Sequence, residues 1–192
     1  SNDLIYQPAI KSYTLGEAPP AFDLLYWNGD GTHLPAKMSI EYLRGLCQDD
    51  RFAQGTFPVF GDPVRLADVT LPVFAVACET DHIAAWKSSF QGVGAMGAKD
   101  KTFVLSQSGH IAGIVNPPAK NKYGHYTNDA GLADPEAWQA GATFHQGSWW
   151  PRWGEWLAAR SGRMVAARAL GELGAEVLAA APGTYVVASR AE

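Results

Sequence analysis

Cysteine is scarce, with only Cys47 and Cys78 among 192 residues. Two are too few for a disulfide framework, so a reducing cytosol is the default compartment. Charge is modest at 18% and its balance is −4. The surface therefore lacks the basic excess that nucleic acid or an anionic membrane surface demands. No apolar run approaches the length of a bilayer span, and SNDLIYQPAI has neither the basic start nor the apolar stretch of a secretion signal. Repeats and low-complexity tracts are missing too. His125 and His145 have no companion ligands at metal-site spacing, so no metal is expected. What is present is a 47% hydrophobic chain, long enough for one well-buried domain or one and a half small ones. It carries seven tryptophans, four of them between Trp149 and Trp156.

The most organised stretch runs from Leu71 to Pro118. Two apolar, β-branched-rich runs, Leu71 to Ala77 and Thr102 to Leu105, each stop at a polar loop. One loop carries Asp81 and the other His110. Between them, Ala84 to Ala98 is long enough for a crossover helix, which a parallel strand pair requires. In open α/β sheets, reactive groups gather in loops at the carboxyl ends of strands. An acid followed by a histidine is the chain order of the last two members of an α/β-hydrolase triad. The fold class expected is α/β.

The flanks are less explicit. Residues 1 to 20 read as irregular or briefly helical, and Phe22 to Trp27 as a short buried strand before the turn chemistry of NGDG. Ser39 to Phe52 reads as an amphipathic helix, with Ile40, Leu43, Leu46 and Cys47 on one face. A proline-rich extended passage, TFPVFGDPVRLADVTLP, leads to the first core strand. Residues 119 to 134 read as a polar loop. Asp134-Pro135-Glu136 starts a helix through Ala142, and Ser148 caps another ending near Gly162. Residues 163 to 181 are weakly helical in pattern, and APGTYVVAS suggests a last strand. Trp149, Trp153 and Trp156 recur at helical spacing, which places them on one face against the core. A carbohydrate-stacking platform or a polymer-contacting surface is the alternative.

The strings NDLIY, FDLLYWNGDGTHLP, DHI after a strand, SGHIAGIVNPPAKNK, YTNDA, QGSWWPRWGEWLA and APGTYV resemble the C-terminal part of a class I polyhydroxyalkanoate synthase. They are spread over nearly all of the chain. The resemblance implies an α/β-hydrolase-like fold present in part: a cap region over residues 1–68 and the C-terminal half of a parallel-sheet core over 69–192. It implies an acyltransferase in which a cysteine of a G-x-C-x-G box takes the acyl group of a 3-hydroxyacyl-CoA and carries the growing polyester. By resemblance Asp81 and His110 stand at the catalytic acid and histidine. No resident cofactor is implied, coenzyme A arriving only as the substrate thioester. The location implied is cytoplasmic, at the polyester granule surface.

This chain contains no G-x-C-x-G and no G-x-S-x-G box. The resemblance therefore implies a fragment that supplies acid and base without the nucleophile. It should be inactive alone, and needs the missing half of the core or a homodimer partner. Gly45-Leu46-Cys47-Gln48-Asp49 lacks the closing glycine and lies within a helical pattern, so Cys47 is expected to be a packed helix residue. Cys78, close before Asp81, is expected in the core. His110 would raise thiolate in an incoming cysteine, and Asp81 would fix the imidazole tautomer. The plain alternatives are a loop histidine and an acid that caps Ile83 to Phe90. His82 caps or packs, or shares in proton transfer. Lys120 and Lys122 meet the phosphates of coenzyme A or lie in a solvated loop. His33 belongs to the cap loop. Two other functions fit the pattern: a non-catalytic binding or regulatory relative that docks on a synthase, and an α/β-hydrolase esterase or depolymerase.

Overall fold

The computed structural model describes residues 6–18, 31–169, 178–180 and 183. Its helices are α1 (Gln7–Ala9), α2 (Ala36–Tyr42), α3 (Trp86–Ala95), α4 (Pro135–Ala140) and α5 (Trp150–Ala158). Its strands are β1 (Phe57–Val59), β2 (Asp62–Val64), β3 (Val73–Cys78), β4 (Lys101–Ser106), β5 (His125–Thr127) and β6 (Thr143–His145). The chain is mixed α/β. The strand expected over Phe22 to Trp27 and, Gly183 apart, the one expected in APGTYVVAS lie outside the described residues. Residues 163–169 form no helix. Met164 and Val165 are 97% and 74% exposed, and a short alanine-rich segment without a buried face has little to hold it helical.

Backbone contacts divide the chain into two units. One comprises the chain up to Val73 together with Gln91–Lys101; the other comprises Phe74–Phe90 and the chain from Thr102. In the first, α2 passes without a break into a wider π-helical turn, Leu43–Gln48, where Asp49 N–H donates to the Arg44 carbonyl at 2.8 Å. The extra residue in that turn shifts the helical phase. The buried position becomes Gly45, where an added Cβ would lie 2.8 Å from the Phe57 ring. Ile40, Leu43 and Cys47 are exposed, which corrects the expectation that Cys47 is packed. The proline-rich passage hides a hairpin: β1 and β2 pair antiparallel, Phe57 opposite Val64. The turn is Phe60-Gly61, at φ of 52° and 95°, and positive φ at both central residues matches the twist of a two-residue hairpin.

The larger sheet has the strand order β3-β4-β5-β6. Along β3 and β4, the Val73 N–H donates to Asp100 and the Glu79 N–H to Ser106. Both partners advance six residues in the same direction, so the pair is parallel, with α3 in the connection. β5 pairs antiparallel with β4, Leu105 opposite Tyr126, and β6 antiparallel with β5, His125 opposite His145. The sheet is thus mixed, not parallel throughout. The connection from β4 to β5 holds only the three-residue turn Pro118–Lys120, too short to carry the chain back along the sheet. β5 also corrects the reading of 119–134 as loop: a three-residue polar strand leaves no hydrophobic alternation to read.

Phe90, Phe103 and Trp138, none more than 2% exposed, meet edge to face with centroids 5.1 to 5.6 Å apart. Each contributes roughly 1.5–3 kcal/mol through burial alone. Asp134 caps α4, one carboxylate oxygen accepting the N–H groups of Glu136 and Ala137. The Ser148 hydroxyl accepts from Trp150 N–H at the start of α5. The tryptophan face is only partly buried: Trp149 and Trp156 pack on Phe74, while Trp153 stays 43% exposed.

Candidate functional site

β3 and β4, being parallel neighbours, end side by side, and their following loops are fastened to each other. The Thr80 N–H donates to the Ser108 carbonyl at 3.1 Å, and Gly109 lies so close that an added Cβ would sit 3.2 Å from the Thr80 carbonyl. Asp81 and His110 meet across this seam. Nδ1 of His110 lies 3.2 and 3.1 Å from the two Asp81 carboxylate oxygens. Carboxylate oxygens accept, so Nδ1 carries the proton in this geometry and Nε2 is left with its lone pair. The acid is enclosed, its side chain 8% exposed, whereas the imidazole is 44% exposed. A free lone pair on an open ring, backed by a shielded acid, is the arrangement a general base uses.

Asp81 has structural work as well. One of its oxygens accepts the N–H groups of Ile83 and Ala84, at 2.8 and 3.0 Å. The Ala84 N–H, then that of Ile83 and the His110 ring, hold its carboxyl below the usual range, while partial burial pushes the other way. The same carboxylate thus both caps the turn at Ile83 and Ala84, the helix itself starting only at Trp86, and partners His110.

Beneath the His110 loop the chain is packed without slack. Gly113 leaves no space for a side chain: a Cβ there would lie 2.4 Å from the Gln107 carbonyl and 2.7 Å from Cys78 Sγ. Its own carbonyl accepts from the Ser106 hydroxyl at 2.9 Å and from the Trp149 indole at 3.0 Å. The Cys78 thiol, 2% exposed, donates to the His110 carbonyl at 3.7 Å. Burial, and then the negative charge of Asp81, push that thiol up, which disfavours the thiolate a nucleophile needs.

The other residues singled out from the sequence fall around this pair unequally. His82 is exposed beside Asp81 and takes no part in its hydrogen bonds. Lys120 is exposed in the Pro118–Lys120 turn. Lys122 sits with its ammonium 5.0 Å from the Tyr123 ring centroid. His125 and His145 stack 5.2 Å apart, His125 donating to the Gly147 carbonyl and His145 held by Thr127. His33 and Cys47 are exposed. Sequence reasoning missed Ser108, at φ of 74°, and Gly113. The one available signal was the second glycine of GHIAG, spaced to let a loop fold back on its own strand.

No protein-family model matches the chain. Curated proteins do. It is 43% identical over 189 residues to the poly(3-hydroxyalkanoate) polymerase subunit PhaC of Cupriavidus necator, which covers 97% of this chain and 32% of that protein. It is likewise 43% identical to the PhaC subunit of Rhizobium meliloti, over 97% of the chain and 30% of the relative. With the poly(3-hydroxyalkanoate) polymerase of Methylorubrum extorquens the identity is 44%, over 96% and 31%. The chain spans about a third of the length of the curated relatives it matches.

Proposed function

On the footing that this chain is kin, over nearly its whole length, to part of the poly(3-hydroxyalkanoate) polymerases, we propose that it supplies the acid and base of a polyester-forming acyltransferase. The cysteine nucleophile comes from another stretch of polypeptide. The observation that carries this reading is the Asp81–His110 contact at 3.1 Å, with Nε2 left free on an exposed ring. In the fold proposed, an α/β-hydrolase-like one, residues 1–68 belong to a cap and 69–192 to the second half of the core.

The chemistry follows from the pair. Nε2 of His110 takes the proton of an incoming cysteine thiol. The thiolate attacks the thioester carbon of a 3-hydroxyacyl-CoA, the bond to the coenzyme A sulfur breaks, and that sulfur leaves as thiol with the proton from the imidazolium. His110 next takes the proton of a 3-hydroxyl group, whose oxygen attacks an acyl thioester; the carbon–sulfur bond breaks, the sulfur leaves as thiol with the proton from the imidazolium, and the ester chain is one unit longer. Asp81 keeps the ring in its Nδ1–H tautomer and offsets the imidazolium charge at each step. Lys122, at the edge of the His110 loop, has the charge to meet a coenzyme A phosphate. The growing polyester and its granule surface are the partners proposed, with the cytoplasm as the setting.

Incubating the purified chain with 3-hydroxybutyryl-CoA should release no coenzyme A above the uncatalysed rate, measured with a thiol reagent. Release that disappears on Cys47→Ala or Cys78→Ala would move the nucleophile into this chain and overturn the division of labour.

A further inference from the structure

We propose that Trp149 and Trp150 are positioning residues for His110: from the start of α5, their indole N–H groups hold the turn that carries the imidazole to Asp81. This rests on the reading of Asp81 and His110 as the acid and base; the indoles act only through the turn.

His110 is the second residue of a tight helical turn. Within it the Ala112 N–H donates to the Gly109 carbonyl at 3.0 Å, and the N–H groups of Ile114 and Val115 donate to the Ile111 carbonyl at 3.0 and 2.8 Å. The last carbonyls of so short a turn have no partner within it and must be satisfied from outside. They are satisfied from α5. The Trp149 indole donates to the Gly113 carbonyl at 3.0 Å, and the Trp150 indole donates to the Ile114 carbonyl at 2.9 Å. One such bond would let the turn pivot about it. Two bonds on successive carbonyls also fix its rotation, and that rotation decides where the His110 ring points.

The indoles are aimed from a firm base. Trp149 is buried, its ring centroid 6.3 Å from that of Phe74 on β3 and 6.1 Å from that of Trp153. The Ser148 hydroxyl accepts the Trp150 backbone N–H at 3.0 Å, and the Trp153 N–H donates to the Trp149 carbonyl at 3.2 Å. Both side chains therefore leave a closed and capped first helical turn. From the strand side, the fully buried Ser106 hydroxyl gives Gly113 a second donor at 2.9 Å. Trp149 thus shares its carbonyl, whereas among the described residues Ile114 receives the Trp150 indole alone.

Exchanging the Trp150 indole for benzothiophene, by incorporating benzothienylalanine, keeps the size of the ring and removes its N–H. Long-range proton–nitrogen NMR on the His110 ring then reads which nitrogen carries the proton, without turnover. The native chain should show the Nδ1–H tautomer. The exchange at Trp150 should lower the ratio of Nδ1–H to Nε2–H about fivefold, as the loss of one hydrogen bond allows. The same exchange at Trp149 should alter the ratio less than about twofold while Ser106 still holds Gly113, and about fivefold in a Ser106→Ala background. A ratio unmoved by the Trp150 exchange, or a Trp149 exchange that acts alike in both backgrounds, would overturn the proposal. A lowered melting temperature with the ratio intact would overturn it too, leaving the indoles as stabilising groups only. Asp81→Ala separates the two levels: if the Nδ1–H preference survives it, the acid–base reading fails, whatever the indoles do.

Discussion

Cys47 and Cys78 differ in a way a labelling reagent reads directly. Cys47 is exposed on the π-helical turn, whereas the Cys78 thiol is buried under the His110 loop and pushed up by burial and by Asp81. Iodoacetamide at neutral pH should therefore modify Cys47 promptly and Cys78 only when the chain is unfolded, as read by peptide mass spectrometry. Rapid modification of Cys78 in the folded chain would mean that the loop opens. His125 gives a pH prediction. Burial is the main reason its pKa lies below the usual value, with His145 and Arg152 adding to it against the favourable bond to the Gly147 carbonyl. A depressed native value means that the unfolded chain binds the proton first as pH falls. Stability from this residue is thus intact above about pH 6.5, the unfolded value, and declines below it toward the lower native value. Urea midpoints should fall from pH 7.5 to 5.5. His125→Asn, whose amide still reaches the Gly147 carbonyl, should flatten that fall; an unchanged slope would assign it elsewhere.

At the scale of elements, the connection from β4 to β5 decides whether the pair exists. It leaves β4, turns through Ser108, presents His110, folds back so that Gly113 lies against Gln107 and Cys78, and is tied down by Trp149 and Trp150. Gly113→Ala should cost about 1–3 kcal/mol, as overpacking of a tight site does. Pairing it with Cys78→Ala should not restore stability, because the Gln107 carbonyl remains in the way at 2.4 Å. Full restoration in the double variant, by chemical denaturation, would show the sulfur to be the sole obstruction. The geometry also explains what the sequence could disclose. Strand ends were legible because VFAVAC and the FVL of KTFVLS are apolar runs stopping at polar loops, which puts the loops of Asp81 and His110 at neighbouring strand ends. β5 and β6 were not, since three residues are too few to establish an alternation. The face of α2 was misjudged because a π turn breaks the 3.6-residue period that the reading assumed. Phe60-Gly61 escaped notice because phenylalanine is a rare occupant of positive φ.

For the whole molecule, the sheet's own edge bears on the division of labour. Among the described residues β3 pairs with β4 alone, and its Val73, Phe74, Ala75 and Val76 are only half-buried. A strand of that composition, running parallel with its neighbour, is expected to be covered on both faces and paired on both edges. The most direct test replaces the matching third of the Cupriavidus necator polymerase subunit with this chain and measures coenzyme A release from 3-hydroxybutyryl-CoA. The account predicts an active chimera that loses roughly a thousandfold or more on His110→Ala. A soluble, folded chimera whose activity survives His110→Ala would contradict it.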